Sequence, residues 1–487
     1  MSALYIRQNT MNKVVLLVMS ALLFSACSPV QEKPATGTPL RGVSLHTPSP
    51  TFRSGSETAT ITPTSPTQMI LRVPQDHVSI QGAIDAAREG DIVIVSPGTY
   101  QENIDFDGKD ITLQSMDPDD PEIVATTIID GGRNGSVVTF QSGETVRAKL
   151  TGFTITNGSG NLYLRSQAEV IVTCGGGIFG SGEERRYCGG GIVVDGSWPT
   201  IENNVIRGNA VQHGGGGIFV ASRAFPTIRG NTIRENQAAG GAGIHVVYES
   251  WPIIEGNLIR DNKANYPGGG LLVEIGSAPK IEANTIRDNE AVVGAGIMVF
   301  NHASPAIRDN EIIDNVSGQG GGAIFVGVGS SLTIENNTIR GNRASIGAGI
   351  FMEIASELMI TGNTFTENVA FFSGGGIDLP DDCIATVDGN TFIGNRAELG
   401  GAIMIHGGNS SFVENNIFRE NQARLGGAIY ASRMATFPVA TNEFHLNIAS
   451  EVGGAIWMSN DSTPILRTPD DNTYDQNQPD DVFISDE

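Results

Sequence analysis

Aromatic residues make up only 6% of this 487-residue chain. So few rings argue against a bulky globular core and suit a narrow one. Positive charge is also short: 30 Lys and Arg face 53 Asp and Glu, a formal net charge of -23. That balance argues against nucleic acid or an anionic membrane surface as a partner. The apolar run from Val14 to Ala26 is too short to span a bilayer. Clusters of Cys and His at metal-ligand spacing, nucleophile elbows and phosphate loops are all missing. No cofactor is evident, and calcium lacks the tight Asp cluster it needs.

What is abundant is glycine, 62 residues of it, laid out with a period. The Ile or Leu that closes each glycine cluster falls at 192, 218, 244, 271, 297, 324, 350, 377, 403, 429 and 456, always 26 or 27 apart. A second register opens each Asn-x-(Ile/Phe)-x-x-Asn block, from Asn204 through Asn442, and slips to 30 only at Asn472. A strict period overrides the two to four domains that length alone suggests, in favour of one stacked array.

The two ends differ from the array. Residues 1–26, with Arg7 and Lys13 before the apolar run, read as a lipoprotein-type signal peptide. Phe24-Ser25-Ala26-Cys27 resembles a bacterial lipobox, which implies acylation of Cys27. Residues 27–68 form a Pro, Ser and Thr-rich tether that cannot bury a core. Residues 69–158 carry an N-terminal cap and the first coils, 159–190 an inserted loop, and 191–487 the repeating coils. Cys174 and Cys188 bracket the charged part of that loop, and an exported compartment would let them pair. Cys383 reads as a buried small apolar residue.

Each repeat holds three short β-like pieces, as at 217–220, 227–229 and 231–234, with Gly, Asn, Asp or Pro at the corners. Such a turn travels round a three-sided cross-section and returns about 4.8 Å along an axis. The fold class is therefore all-β, a parallel β-helix of 26–27-residue coils, right-handed by the usual crossover rule. Ile206 to Ile339 and then Phe365 to Phe444 form one inward stack, and the opening Asn residues form a ladder. Ser79 starts a short capping helix bearing Ile80, Ile84 and Ala87.

The run Ile80-Gln81-Gly82-Ala83-Ile84-Asp85-Ala86-Ala87, then Gly90 to Val95 and Pro97-Gly98-Thr99-Tyr100-Gln101-Glu102, resembles the opening of pectin-lyase-like right-handed β-helix proteins. The Gly-Gly-Ala-Ile blocks at 321–324, 400–403, 426–429 and 453–456 resemble repeats of polymorphic outer-membrane proteins. The resemblance implies the fold and leaves the activity open, because lyases, esterases, epimerases and silent adhesins share it. Gly98-Thr99-Tyr100-Gln101-Glu102 is similar to the Gly-x-Tyr-x-Glu opening of pectin methylesterases, but that family's paired Asp and later Arg motifs are absent, which rejects an esterase.

Functional candidates lie on the outside. One outward row contains Val193, Phe219, His245, Leu272, Met298, Phe325, Phe351, Asp378, Met404, Tyr430 and Trp457. If open, it is a binding groove, with Phe219, Phe325, Phe351, Tyr430 and Trp457 as stacking surfaces for sugar. If a loop covers it, it is packing, and 159–190 is the candidate cover. A second row of arginines has acids beside it and reads as a neutralised face. For catalysis the best cluster is His245, Tyr248, Glu249, Glu274 and His302, which supplies a base and an acid but no cation to neutralise a uronate.

The leading expectation is an exported, lipid-anchored monomer at the bacterial cell envelope, periplasmic or surface-exposed, which binds polysaccharide or a cell-surface partner without catalysis. It meets the membrane through its lipid alone and binds no nucleic acid. The alternatives are a lyase or epimerase of a uronic-acid polymer, and an adhesin for protein.

Overall fold

The computed structural model describes residues 68–163, 186–353, 356–381, 383–407, 411–432, 438–460 and 471–485. Cys27, the expected signal and tether, Cys174 and most of the inserted loop lie outside these residues.

The described chain is a parallel β-helix built from three 14-stranded sheets. In the coil after residue 217, the strand Ile218–Ala221 belongs to sheet 1, Thr227–Arg229 to sheet 2 and Thr232–Arg234 to sheet 3. Successive coils pair in register, as in Ile218 with Ile244 and Ile233 with Ile259. A fourth, six-stranded sheet, whose first four pieces are only two residues long, runs from Gln237–Ala238 to Val369–Ser373 and completes the cross-section. The three-piece sequence pattern does not reveal it, because the two-residue strands that begin it carry no periodicity.

Sharp corners make the coil close. Residues with φ near +55° immediately precede the ladder asparagines, as Gly230 precedes Asn231 and Glu235 precedes Asn236. The left-handed conformation turns the chain and aims the next side chain inward. A third such corner opens each glycine cluster, as at Gly241. The last glycine of a cluster answers a different need. A Cβ on Gly243 would stand 2.4 Å from the Gly270 carbonyl of the next coil, so a side chain at Gly243 would require that backbone to shift.

The interior is a set of ladders. Asn257 Nδ2 donates to Asn284 Oδ1 at 3.0 Å and to the Ile228 carbonyl at 2.8 Å, and the same pattern runs to Asn472. The closing Asn of each block forms a second ladder, as Asn262 does with Asn289 at 3.0 Å. These amides satisfy the carbonyls that the corners leave without strand partners. Phe365, Phe392, Phe418 and Phe444 stack at 4.7–4.9 Å, and Tyr474 extends the column. One continuous apolar core runs through all the coils.

Among the described residues two helices break the pattern. The first, α1, spans Ile80–Ala86, with Ser79 accepting from the Gly82 amide, and its Ile80, Ala83 and Ile84 are buried. Glu102 adds a second cap: its two oxygens accept from the Ile80 and Gln81 amides, each at 2.9 Å. A carboxylate at a helix N-terminus meets unpaired donors and the positive end of the dipole. Tyr100 Oη donates to the Ser96 carbonyl at 2.9 Å. Gly98 to Glu102 therefore serves the first coil here, and its methylesterase-like look has a structural cause. The second helix, α2 (Pro121–Thr126), is capped by Asp120.

Candidate functional site

Along the repeat strands of sheet 1, from Ile192–Asp195 to Ile456–Ser459, the first and third residues enter the core, and the second and fourth face outward. The second residues form the row expected to be an open groove, and most of that row is closed. Phe219, Phe325 and Phe351 are buried, as are Val193, Leu272, Met298 and Met404. Phe219 and Val193 pack with Cys188, Ala221 and Val247, flanked by Tyr248 and Ile275. Leu272, Met298, Phe325 and Phe351 form another cluster, flanked by Val293, Phe300 and Ile346. The correction has a plain cause. Three-residue strands leave the outward side chain between two turns, and apolar turn residues fold over it. Phe219, Phe325 and Phe351 therefore offer no exposed stacking surface.

Only at the C-terminal end does the row open. Tyr430 and Trp457 are half-buried and stack at 4.2 Å with an interplanar angle of 1°. Phe483 of the last strand, also half-buried, pairs in register with Trp457.

The expected catalytic cluster does not assemble as a unit. His245 Nε2 meets Glu274 Oε1 at 2.8 Å, but both residues are sealed from solvent. Glu249 is exposed and bound to Arg223 at 2.7 Å. Tyr248 is half-buried against the Phe219 cluster, and His302 is exposed on a later turn. His245 and Glu274 are thus brought together, and the other three face elsewhere.

A second polar group occupies the same face five coils further on, and the sequence reading saw only one of its members. Asp378, 1% exposed, is the one carboxylate in the row from Val193 to Trp457. One of its oxygens accepts from Ser373 Oγ and the other meets His406 Nε2 at 3.0 Å. His406 is a fourth-position residue of the next coil, and its side chain is 36% exposed. Burial lowers its pKa, but Asp378 and Asp381 outweigh that and raise it. Glu353 is the fourth-position residue two coils before His406. Burial pushes its carboxyl up to about 7, against one hydrogen bond from the Val328 amide at 3.2 Å. The available signal was Asp378 itself, the one carboxylate in that row.

Elsewhere, three arginines of the second row are neutralised by their neighbours: Arg287 meets Asp288 at 2.6 Å, Arg234 pairs with Glu235, and Arg260 pairs with Asp261. A shallow groove of about 270 Å³ crosses sheet 2, lined by Ala306, Thr333, Met359 and Ile384. Among the described residues no three His, Cys, Asp or Glu side chains are placed to hold a metal. Cys188 is disulfide-bonded, and at the base of the inserted loop Asn161–Tyr163 pairs antiparallel with Arg186–Cys188. Cys383 is buried, as expected, and donates from Sγ to the Glu353 carbonyl at 3.2 Å.

The family model described as "Right handed beta helix region" matches residues 118–278, 190–365 and 345–486, together more than half of the chain. No curated protein matches. Among solved structures, the chain is similar to the "Siphovirus 9NA tailspike receptor binding domain" at 11% identity, covering 83% of this chain and 76% of that one, with a TM-score of 0.20.

Proposed function

This chain belongs to the right-handed β-helix family, and on that scaffold we propose that it is an exported protein, lipid-anchored at Cys27, that binds extracellular polysaccharide along the outward face of sheet 1. The observation that carries the reading is the stacked, half-buried pair of Tyr430 and Trp457, continued by Phe483, at the place where the row stops being covered. Rings stacked along the axis turn their edges outward. Such edges combine apolar area with a polar phenol or indole tip, which suits sugar C–H and hydroxyl groups. The net charge of -23 favours a neutral polymer over an acidic one.

Affinity electrophoresis through gels containing single polysaccharides tests this. Trp457→Ala and Tyr430→Ala should abolish the retardation of the wild-type chain. Retardation unchanged by both substitutions, or capture of a protein partner with no retardation by any polymer, would favour the adhesin reading. Labelling with a palmitate analogue, lost in Cys27→Ser, tests the anchor.

A further inference from the structure

On three successive coils the turn into sheet 2 carries an aromatic ring. Trp198, Phe225 and Trp251 stand two residues ahead of Thr200, Thr227 and Ile253, which pair in register, so the rings form one row along the axis. Each is followed by a buried proline, Pro199, Pro226 or Pro252. A residue before proline is held extended, and alternation along extended chain turns the ring outward as the proline turns in. Trp198 and Phe225 stack at 4.8 Å, and Phe225 and Trp251 are 48% and 45% exposed. Val146 and Ile253, also exposed, border them. The same position holds Asp110 and Arg147 on the coils before, and Ala278 and Ser304 on the coils after, so a coil closes without a ring there.

The charges around this ridge are sorted by depth. Arg147 and Arg229 have side chains 78% and 51% exposed, while the acids that bind them, Asp110 and Glu202, are only 6% and 9% exposed. Lys149 shares Glu202 with Arg229, and Lys280 is exposed beside Ile253. Arg223, two residues before Phe225, is exposed together with its partner Glu249, whereas Asp195, Glu255 and Glu282 are half-buried. The chain as a whole is strongly acidic, yet along this ridge the cations reach furthest into solvent. Exposed rings edged by outward cations match the interfacial layer of an anionic bilayer. There indole and phenyl groups settle among the headgroups, and Lys and Arg gain from the surface potential. A neutral polymer would have no use for the cations.

We propose that this ridge is a docking surface for an anionic phospholipid bilayer. Phe225 and Trp251 enter the headgroup layer with Val146 and Ile253, and Arg147, Arg223, Arg229 and Lys280 meet the lipid phosphates. Because the row runs along the axis, the contact sets the axis of the solenoid parallel to the bilayer. This departs from the expectation that the chain meets a membrane through its lipid alone. The contact is independent of an acyl group at Cys27 and of the polysaccharide reading, which concerns Tyr430 and Trp457 on sheet 1.

The test uses the exported form, residues 27–487, with Cys27→Ser so that no acyl group contributes. It is sedimented with vesicles of phosphatidylglycerol and phosphatidylcholine in equal parts, or of phosphatidylcholine alone. Binding to the mixed vesicles should be at least about 10-fold tighter than to the neutral ones, and high salt should weaken it. Phe225→Ser combined with Trp251→Ser should lower binding to the mixed vesicles at least about 10-fold. Arg223→Gln, which leaves the rings in place, should lower it about 5-fold. In a Trp457→Phe chain the emission of Trp198 and Trp251 should shift to the blue on binding and be quenched by brominated lipid. Failure to sediment with the mixed vesicles, equal binding to both kinds, or binding unchanged by the double substitution overturns the proposal. Polymer retardation lost in the double variant of a chain that binds no vesicles also overturns it and assigns the ridge to sugar.

Discussion

Glu274 Oε1 lies 2.8 Å from His245 Nε2 on the preceding coil, and neither side chain reaches solvent. The other ring nitrogen, His245 Nδ1, is buried with no hydrogen-bond partner among the described residues. A Cβ added to Gly214 would stand 2.4 Å from that nitrogen, so the preceding turn closes directly over the ring. His245→Ala should destabilise the middle coils by about 2–5 kcal/mol, because it opens a cavity at a fully buried site and takes one hydrogen-bond partner from Glu274. Hydrogen exchange of the amides around Glu274 reads this locally. Replacing both residues by apolar ones, His245→Leu with Glu274→Val, should recover most of the loss.

The asparagine ladder predicts a sharper effect than its neutral chemistry suggests. Asn310 donates to the Ile281 carbonyl at 2.8 Å and to Asn337 Oδ1 at 3.0 Å, and it accepts from Asn284. Asn310→Ala leaves several buried groups unpaired, at about 1–3 kcal/mol each. Exchange should accelerate for coils on both sides of residue 310, since a solenoid transmits stability through nearest neighbours.

Glu102→Ala removes both side-chain bonds to the first turn of α1. The expected cost is about 1–2 kcal/mol. Protection should fall over residues 70–95 and remain unchanged beyond residue 200.

Two titrations act in one direction. Glu353 is raised to about 7 by burial, and His406 is raised by Asp378 and Asp381. Each binds its proton more tightly folded than unfolded. Stability from both is therefore present at low pH and lost as pH rises through the folded values, from about 4.5 to 7 for Glu353. Thermal melting of the C-terminal coils should weaken across that window, and Glu353→Gln should flatten the part below neutrality.

The outward row separates packing from binding. Phe351→Ala empties a buried site and should cost about 3–5 kcal/mol with little direct effect on polymer retardation. Trp457→Ala should do the reverse, losing retardation at a smaller cost, because that ring is only half-buried.

The repeat, the parallel stacking, the Phe column, the opening Asn ladder and the Ser79 cap were all legible in the sequence. Each rests on positions 26 or 27 residues apart, and strand register places such residues one above the other. Tertiary structure alone decided which outward residues stay open. Phe351 and Trp457 occupy equivalent positions, yet flanking turn residues bury the first and leave the second half-exposed. It also decided the diagonal contacts, 29 residues apart for His245 with Glu274 and 28 for Asp378 with His406, which cross from one row to the next. A period reports what stacks vertically. How high the turns stand, and which side chains lean across the rows, depends on packing between coils that no single repeat contains.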